Sequence, residues 1–175
     1  MKHIKNNLIS TAIFITSIFL SQALSAHVMV AQHGTLNVLE KGAFMVLSLP
    51  ISAFEGIDDD NDGKLSNTEF NRHRNAIAKV IHNKIVLKDE QGVRVLEDMM
   101  LSPVVSHDSP NAPVSQLVVM GRYSLTNLLS PLEYTVEIFG TSPTENSLDI
   151  VATRKSDHKK QRVKLTPKNP SVSIF

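Results

Sequence analysis

Apolar and polar residues alternate strictly through most of the chain. Leu117, Val119, Gly121, Tyr123 and Leu125 fall on one side of the pattern, with Val118, Met120, Arg122 and Ser124 on the other. Leu132, Tyr134, Val136 and Ile138 alternate with Glu133, Thr135 and Glu137, and the pattern returns at Leu148, Ile150 and Ala152 and at Val163 and Leu165. A period of two sends successive side chains to opposite faces, so these segments read as half-buried strands. Further strands are predicted at 28–33, 35–39, 43–49, 84–88 and 93–101. Turn residues separate them: Glu40-Lys41-Gly42, Asp89–Gly92, Gly140–Pro143 and Pro167–Pro170. About eight to ten short strands at this spacing predict a mainly β fold, an antiparallel β-sandwich or open barrel. His107–Pro113 reads as a longer loop, because Pro110 and Pro113 interrupt any ladder. No internal repeat or linker divides the chain, so residues 27–175 are expected to form a single β-rich domain.

One stretch breaks this rhythm. Phe70, Ile77, Val80 and Ile81 are spaced as on one face of a helix, with no Gly or Pro between them. A single α-helix is predicted over about 66–83. The residues before it supply a reason for it.

Residues 58–69 read Asp-Asp-Asp-Asn-Asp-Gly-Lys-Leu-Ser-Asn-Thr-Glu, which fits D-x-[DN]-x-[DN]-G-x₅-E at every constrained place. Asp58, Asp60 and Asp62 stand at alternating positions and turn their carboxylates to one centre. Gly63 permits the sharp bend that follows, and the Lys64 carbonyl is the next expected ligand. Ser66 stands where a hydroxyl or a bridging water completes the shell, and Glu69 closes it with both carboxylate oxygens. Such a set suits Ca2+, a hard cation that takes six to eight oxygens at about 2.3–2.6 Å. The competing reading is a solvated acidic turn. Yet Asp58, Asp59, Asp60, Asp62 and Glu69 would repel one another without a cation.

The flanks carry the same signature, with Phe54 and Ile57 before the loop, Leu65 at its eighth place and Phe70 after its closing residue. Over residues 52–84 the chain resembles the EF-hand family, which implies one Ca2+ held between an incoming and an outgoing helix. Two departures stand out. Pro50 leaves room for about one and a half turns of incoming helix, and no second loop of this pattern occurs. The resemblance therefore implies a calcium ion that is mainly structural, since a sensor opens a groove between paired helices.

Composition sets the wider frame. The chain has 175 residues, 42% of them apolar, enough to bury a core. Residues 1–26 read as a signal peptide: Lys2 and Lys5, an apolar run from Leu8 to Leu20, then Ser21, Ala23, Ser25 and Ala26. That run is 13 residues, whereas a spanning helix needs roughly 20. Cleavage is expected, at a site left open by the small residues, with no transmembrane span afterwards and a periplasmic or secreted location. Removing Lys2 and Lys5 from the 18 bases leaves 16 against 17 acids, a formal charge of −1. That balance gives no reason to expect nucleic acid as a partner. The absence of cysteine excludes a disulfide scaffold and a thiolate zinc site.

Other candidates are thinner. His27, with His33, would form a copper or nickel site if the signal were cut after Ala26. His73 and His82 lie nine residues apart, outside the i, i+4 spacing of paired helix ligands. His107-Asp108 could act as an acid–base couple, but no nucleophile elbow accompanies it. Seven bases between Arg154 and Lys168 fit an edge strand guarded by charge, or attraction to an anionic partner. The layout of signal, Ala26-His27 start, β-rich body and Asp-rich insertion also resembles the extracytoplasmic domain of HupE/UreJ-type metal permeases, which implies a role near metal handling. The expectation is a non-enzymatic, calcium-binding accessory module of the cell envelope, with an unidentified envelope protein as candidate partner. A copper or nickel carrier and a small hydrolase are the alternatives.

Overall fold

A computed structural model describes residues 31–40, 42–105 and 113–175. Within them, alternation becomes ten strands: β1 (His33–Leu39), β2 (Gly42–Pro50), β3 (Ile85–Asp89), β4 (Gly92–Arg94), β5 (Leu96–Val105), β6 (Val114–Tyr123), β7 (Leu132–Val136), β8 (Leu148–Arg154), β9 (Lys159–Leu165) and β10 (Ser171–Ile174). One helix, α1 (Asn67–Lys84), stands among them. The strands form a six-stranded sheet in the order β5-β6-β2-β1-β8-β9 and a four-stranded sheet in the order β10-β7-β3-β4. The predicted signal peptide, His27 and His107-Asp108 lie outside the described residues. Among the described residues no helix is long and apolar enough to cross a membrane.

The core sits between the sheets, as a period of two requires. The large sheet contributes Leu36 and Val38, Met45, Leu47 and Leu49, Leu117, Val119 and Tyr123, and Ile150 and Ala152. The small sheet contributes Ile85, Leu87, Leu132, Tyr134, Val136 and Ile174 to the same cluster. Most strands bury one face, which fixes register, because a slip of one residue would turn the apolar set outward. Gly42 shows how tight the packing is: a Cβ there would meet the Tyr123 carbonyl oxygen at 2.1 Å.

The mainly β sandwich with one helix agrees with the sequence, and three details depart from it. First, β1 pairs with β8 in parallel, His33 against Asp149 through Val38 against Arg154, within an otherwise antiparallel set. Second, the run 93–101 is two strands in different sheets. The chain leaves the small sheet after Arg94 and enters the large one at Leu96. A bulge between Glu97 and Met100, with Asp98 at φ 51°, adjusts it to β6. Third, β10 follows Pro167 and Pro170 as a short strand on β7. Gln161 then ties β9 to β10, donating to the Ser173 carbonyl at 3.0 Å and accepting from Phe175 N at 3.2 Å.

The helix covers one open edge. Arg74 donates to the Leu101 carbonyl of edge strand β5 at 3.1 Å. Phe70, Ile77 and Ile81 carry the apolar face of α1 into the common core, each at most 1% exposed.

Candidate metal centre

The acidic loop begins where the large sheet ends. After Pro50 the chain makes one 3₁₀ turn, Ile51–Ala53. The incoming helix is thus shorter still than the turn and a half that Pro50 allows. Phe54 and Ile57 before the loop, Leu65 within it and Phe70 after it are all buried, so four apolar anchors pin an acidic, otherwise polar loop to the core. Leu65 also offers its carbonyl to the amide of Val114, the first residue of β6, at 2.8 Å. The middle of the loop is therefore hydrogen-bonded to the large sheet.

Local chemistry bends the loop around its own carboxylates. Asp60 Oδ1 accepts from Asp62 N at 3.2 Å, and Asp62 Oδ1 accepts from Lys64 N at 2.8 Å. These are Asx turns, in which a short side chain accepts from the amide two residues on. Asp58 Oδ2 reaches further, accepting from Gly63 N at 2.9 Å. Gly63 takes φ +76°, in the left-handed region where a side chain is strained, and Asn61 takes φ 57°.

Helix formation and loop closure meet at Ser66 and Glu69. Ser66 caps α1: its Oγ accepts from Glu69 N at 3.2 Å, while Glu69 Oε2 accepts from Ser66 N at 2.8 Å. This reciprocal pair is a capping box. Ser66 Oγ also donates to Glu69 Oε2 at 2.8 Å, and Asp59 N donates to Oε1 at 2.8 Å. The Ser66 amide, its hydroxyl and the Asp59 amide together lower the Glu69 carboxyl to about 2. Glu69 is buried and held ionised, a costly state for a lone carboxylate.

Carboxylate oxygens of Asp58, Asp60 and Glu69 lie within 4.8 Å of one another. Asp58 Oδ1 is buried and has no hydrogen-bond partner among the described residues. Asp60 records the crowding. The bond from Asp62 N pulls its carboxyl down, yet desolvation, the charges of Asp62 and Glu69 and the neighbouring Asp58 carboxyl together outweigh that bond, and its pKa is raised overall. Of the sequence-predicted set, the fold gathers Asp58, Asp60 and Glu69. Asp62 is exposed and its Oδ1 turns back to Lys64 N, while the Ser66 hydroxyl is engaged with Glu69.

No protein-family model matches this chain, and no curated protein is similar to it in sequence. What the site can do is therefore argued from its own chemistry. An all-oxygen donor set, three carboxylates converging and one buried oxygen unpartnered together fit a hard divalent cation, and Asp58, Asp60 and Glu69 are the residues that would hold it.

Sequence reasoning missed the clamp on Asp59. Its carboxylate points away from the loop and accepts from Arg72 and, at 2.7 Å, from His73 Nε2. The His73 bond, more than the Arg72 one, lowers the Asp59 pKa. The signal was present as an acid in the loop and bases 13 and 14 residues later, on the first turns of the helix. His82 is exposed on α1, and His33 is exposed with Nδ1 2.8 Å from the Ala31 carbonyl.

Proposed function

We propose that the chain binds one Ca2+ in the Asp58–Glu69 loop, and that the ion serves a structural role in an exported, β-rich accessory domain of the cell envelope. The buried, unpartnered Oδ1 of Asp58 beside two further carboxylates carries the reading. Buried charged oxygens that lack a partner are strongly unfavourable, and a cation removes the penalty. Asp62, the Lys64 carbonyl and Ser66 are the proposed remainder of the shell. When bound, the ion supplies positive charge that offsets the mutual repulsion of the loop.

The structural role follows from what the loop joins. It links a single 3₁₀ turn to α1, and it is bonded through Leu65 to β6. Among the described residues there is no pair of helices to open, and the Asx turns and capping box already shape the loop. Outside the cytoplasm, where calcium is abundant, even a weak site stays filled. At 100 times its dissociation constant, calcium would add about 2.7 kcal/mol to folding stability.

The test is thermal unfolding of the exported protein with calcium and with chelator. A midpoint that rises with calcium supports the structural role, and an unchanged midpoint rules it out.

A further inference from the structure

The outer face of the large sheet is built from residues that pair across strands and point away from the core. One row runs Met100, Met120, Val46, Thr35, Val151, Arg162, and the row beside it runs Glu97, Arg122, Phe44, Asn37, Thr153, Lys160. The centre is apolar: Met120, Val46 and Val151 are half-buried, while Phe44 is 37% and Met100 56% exposed. The two margins differ in sign. At the β5 margin, Glu97 and Asp98 share one base, Arg122, at 2.8 and 2.6 Å, which leaves a net negative corner. At the β9 margin, Lys160 and Arg162 make no ion pair among the described residues, and Lys164 pairs with Asp149 at 2.9 Å.

We infer that this face docks a second copy of the chain, outer face to outer face, about a two-fold axis lying between β2 and β1 and parallel to them. That operation exchanges the margins, laying β9 of one copy over β5 of the other, without shifting along the strands. Lys160 then meets the partner's Glu97, row for row, and Met120 meets the partner's Val151. Phe44 lies over the partner's Asn37, and Val46 over the partner's Thr35. The contact is self-complementary, as a two-fold interface requires. Six strands spaced about 4.8 Å apart and some seven residues long present on the order of 600 Å² per copy. Stable interfaces bury about 800 Å² per partner, so the dimer is weak and reversible.

Sedimentation velocity of the exported protein over a concentration series tests this, with a melting curve confirming that each variant folds. The expected result is a monomer–dimer equilibrium weakened by added salt. Val46→Glu abolishes dimerisation. Lys160→Glu weakens it by about tenfold or more, because like charges replace opposite ones, and adding Glu97→Lys to Lys160→Glu restores it. Phe44→Glu stands in for Val46→Glu, and Glu97→Lys for Lys160→Glu, if either first variant fails to fold. A protein monomeric at every concentration overturns the inference. So does a dimer indifferent to Val46→Glu or to Lys160→Glu, or one that the second charge reversal does not restore. None of these readings depends on calcium.

Discussion

Ser66 and Glu69 each serve two ends: they start α1 and they close the acidic loop. Removing the hydroxyl in Ser66→Ala takes away a helix cap, which costs about 1 kcal/mol. Urea unfolding in the presence of chelator should show that loss, since the cap needs no ion. Elsewhere, Arg154 is only 3% exposed and donates to Asp157 at 2.7 Å, to the Leu129 carbonyl at 3.2 Å, and lies 4.8 Å over the Phe175 ring. Its hydrogen bonds are the first cause that lowers the Asp157 carboxyl from 3.8 to about 2. The folded value lies below the unfolded one, so this pair stabilises the fold above pH 3.8 and the contribution fades as pH falls toward 2. The gap in urea midpoint between the parent and Asp157→Asn should be widest near neutral pH and narrow across that acid window. A gap independent of pH would show that Asp157 acts without its charge.

Elements were legible where one physical signal dominated. The helix was readable because Phe70, Ile77, Val80 and Ile81 share a face with no Gly or Pro between them. Most strands were readable because one face of each is buried. The acidic loop was readable because Gly63 and the alternating carboxylates are local chemistry. What escaped was set by distant partners. Val93 and Val95 continue the alternation smoothly, yet the chain changes sheets between β4 and β5, a choice made by pairing with β3 and β6. The parallel β1–β8 pair joins residues more than a hundred positions apart, which local periodicity does not encode. β10 was hidden by Pro167 and Pro170, although Pro at the approach to an edge strand is tolerated. The helix itself is anchored by packing, so Ile77→Ala should cost about 2–5 kcal/mol. That cost should persist with calcium present, which would separate core packing from ion binding.

For the whole molecule, the loop and helix finish a sandwich that ten strands leave open at β5. Arg74 bonds the exposed edge of that strand, Leu65 bonds the start of β6, and the ends of α1 are fixed by the acidic loop and by β3. Because the proposed ion binds donors that only the folded loop brings together, its stabilisation is global. At calcium concentrations 100 times the dissociation constant, the melting midpoint should rise by about 5–10 °C for a domain of this size. Glu69→Gln should lose that rise.

Calorimetric titration of the protein with calcium, run beside Glu69→Gln, tests the central claim most directly. One calcium per chain for the parent, and no measurable binding for the variant, is the predicted outcome. A parent protein that takes up no calcium and holds no metal by elemental analysis would contradict it, and would leave the buried Oδ1 of Asp58 and the buried carboxylate of Glu69 to another explanation.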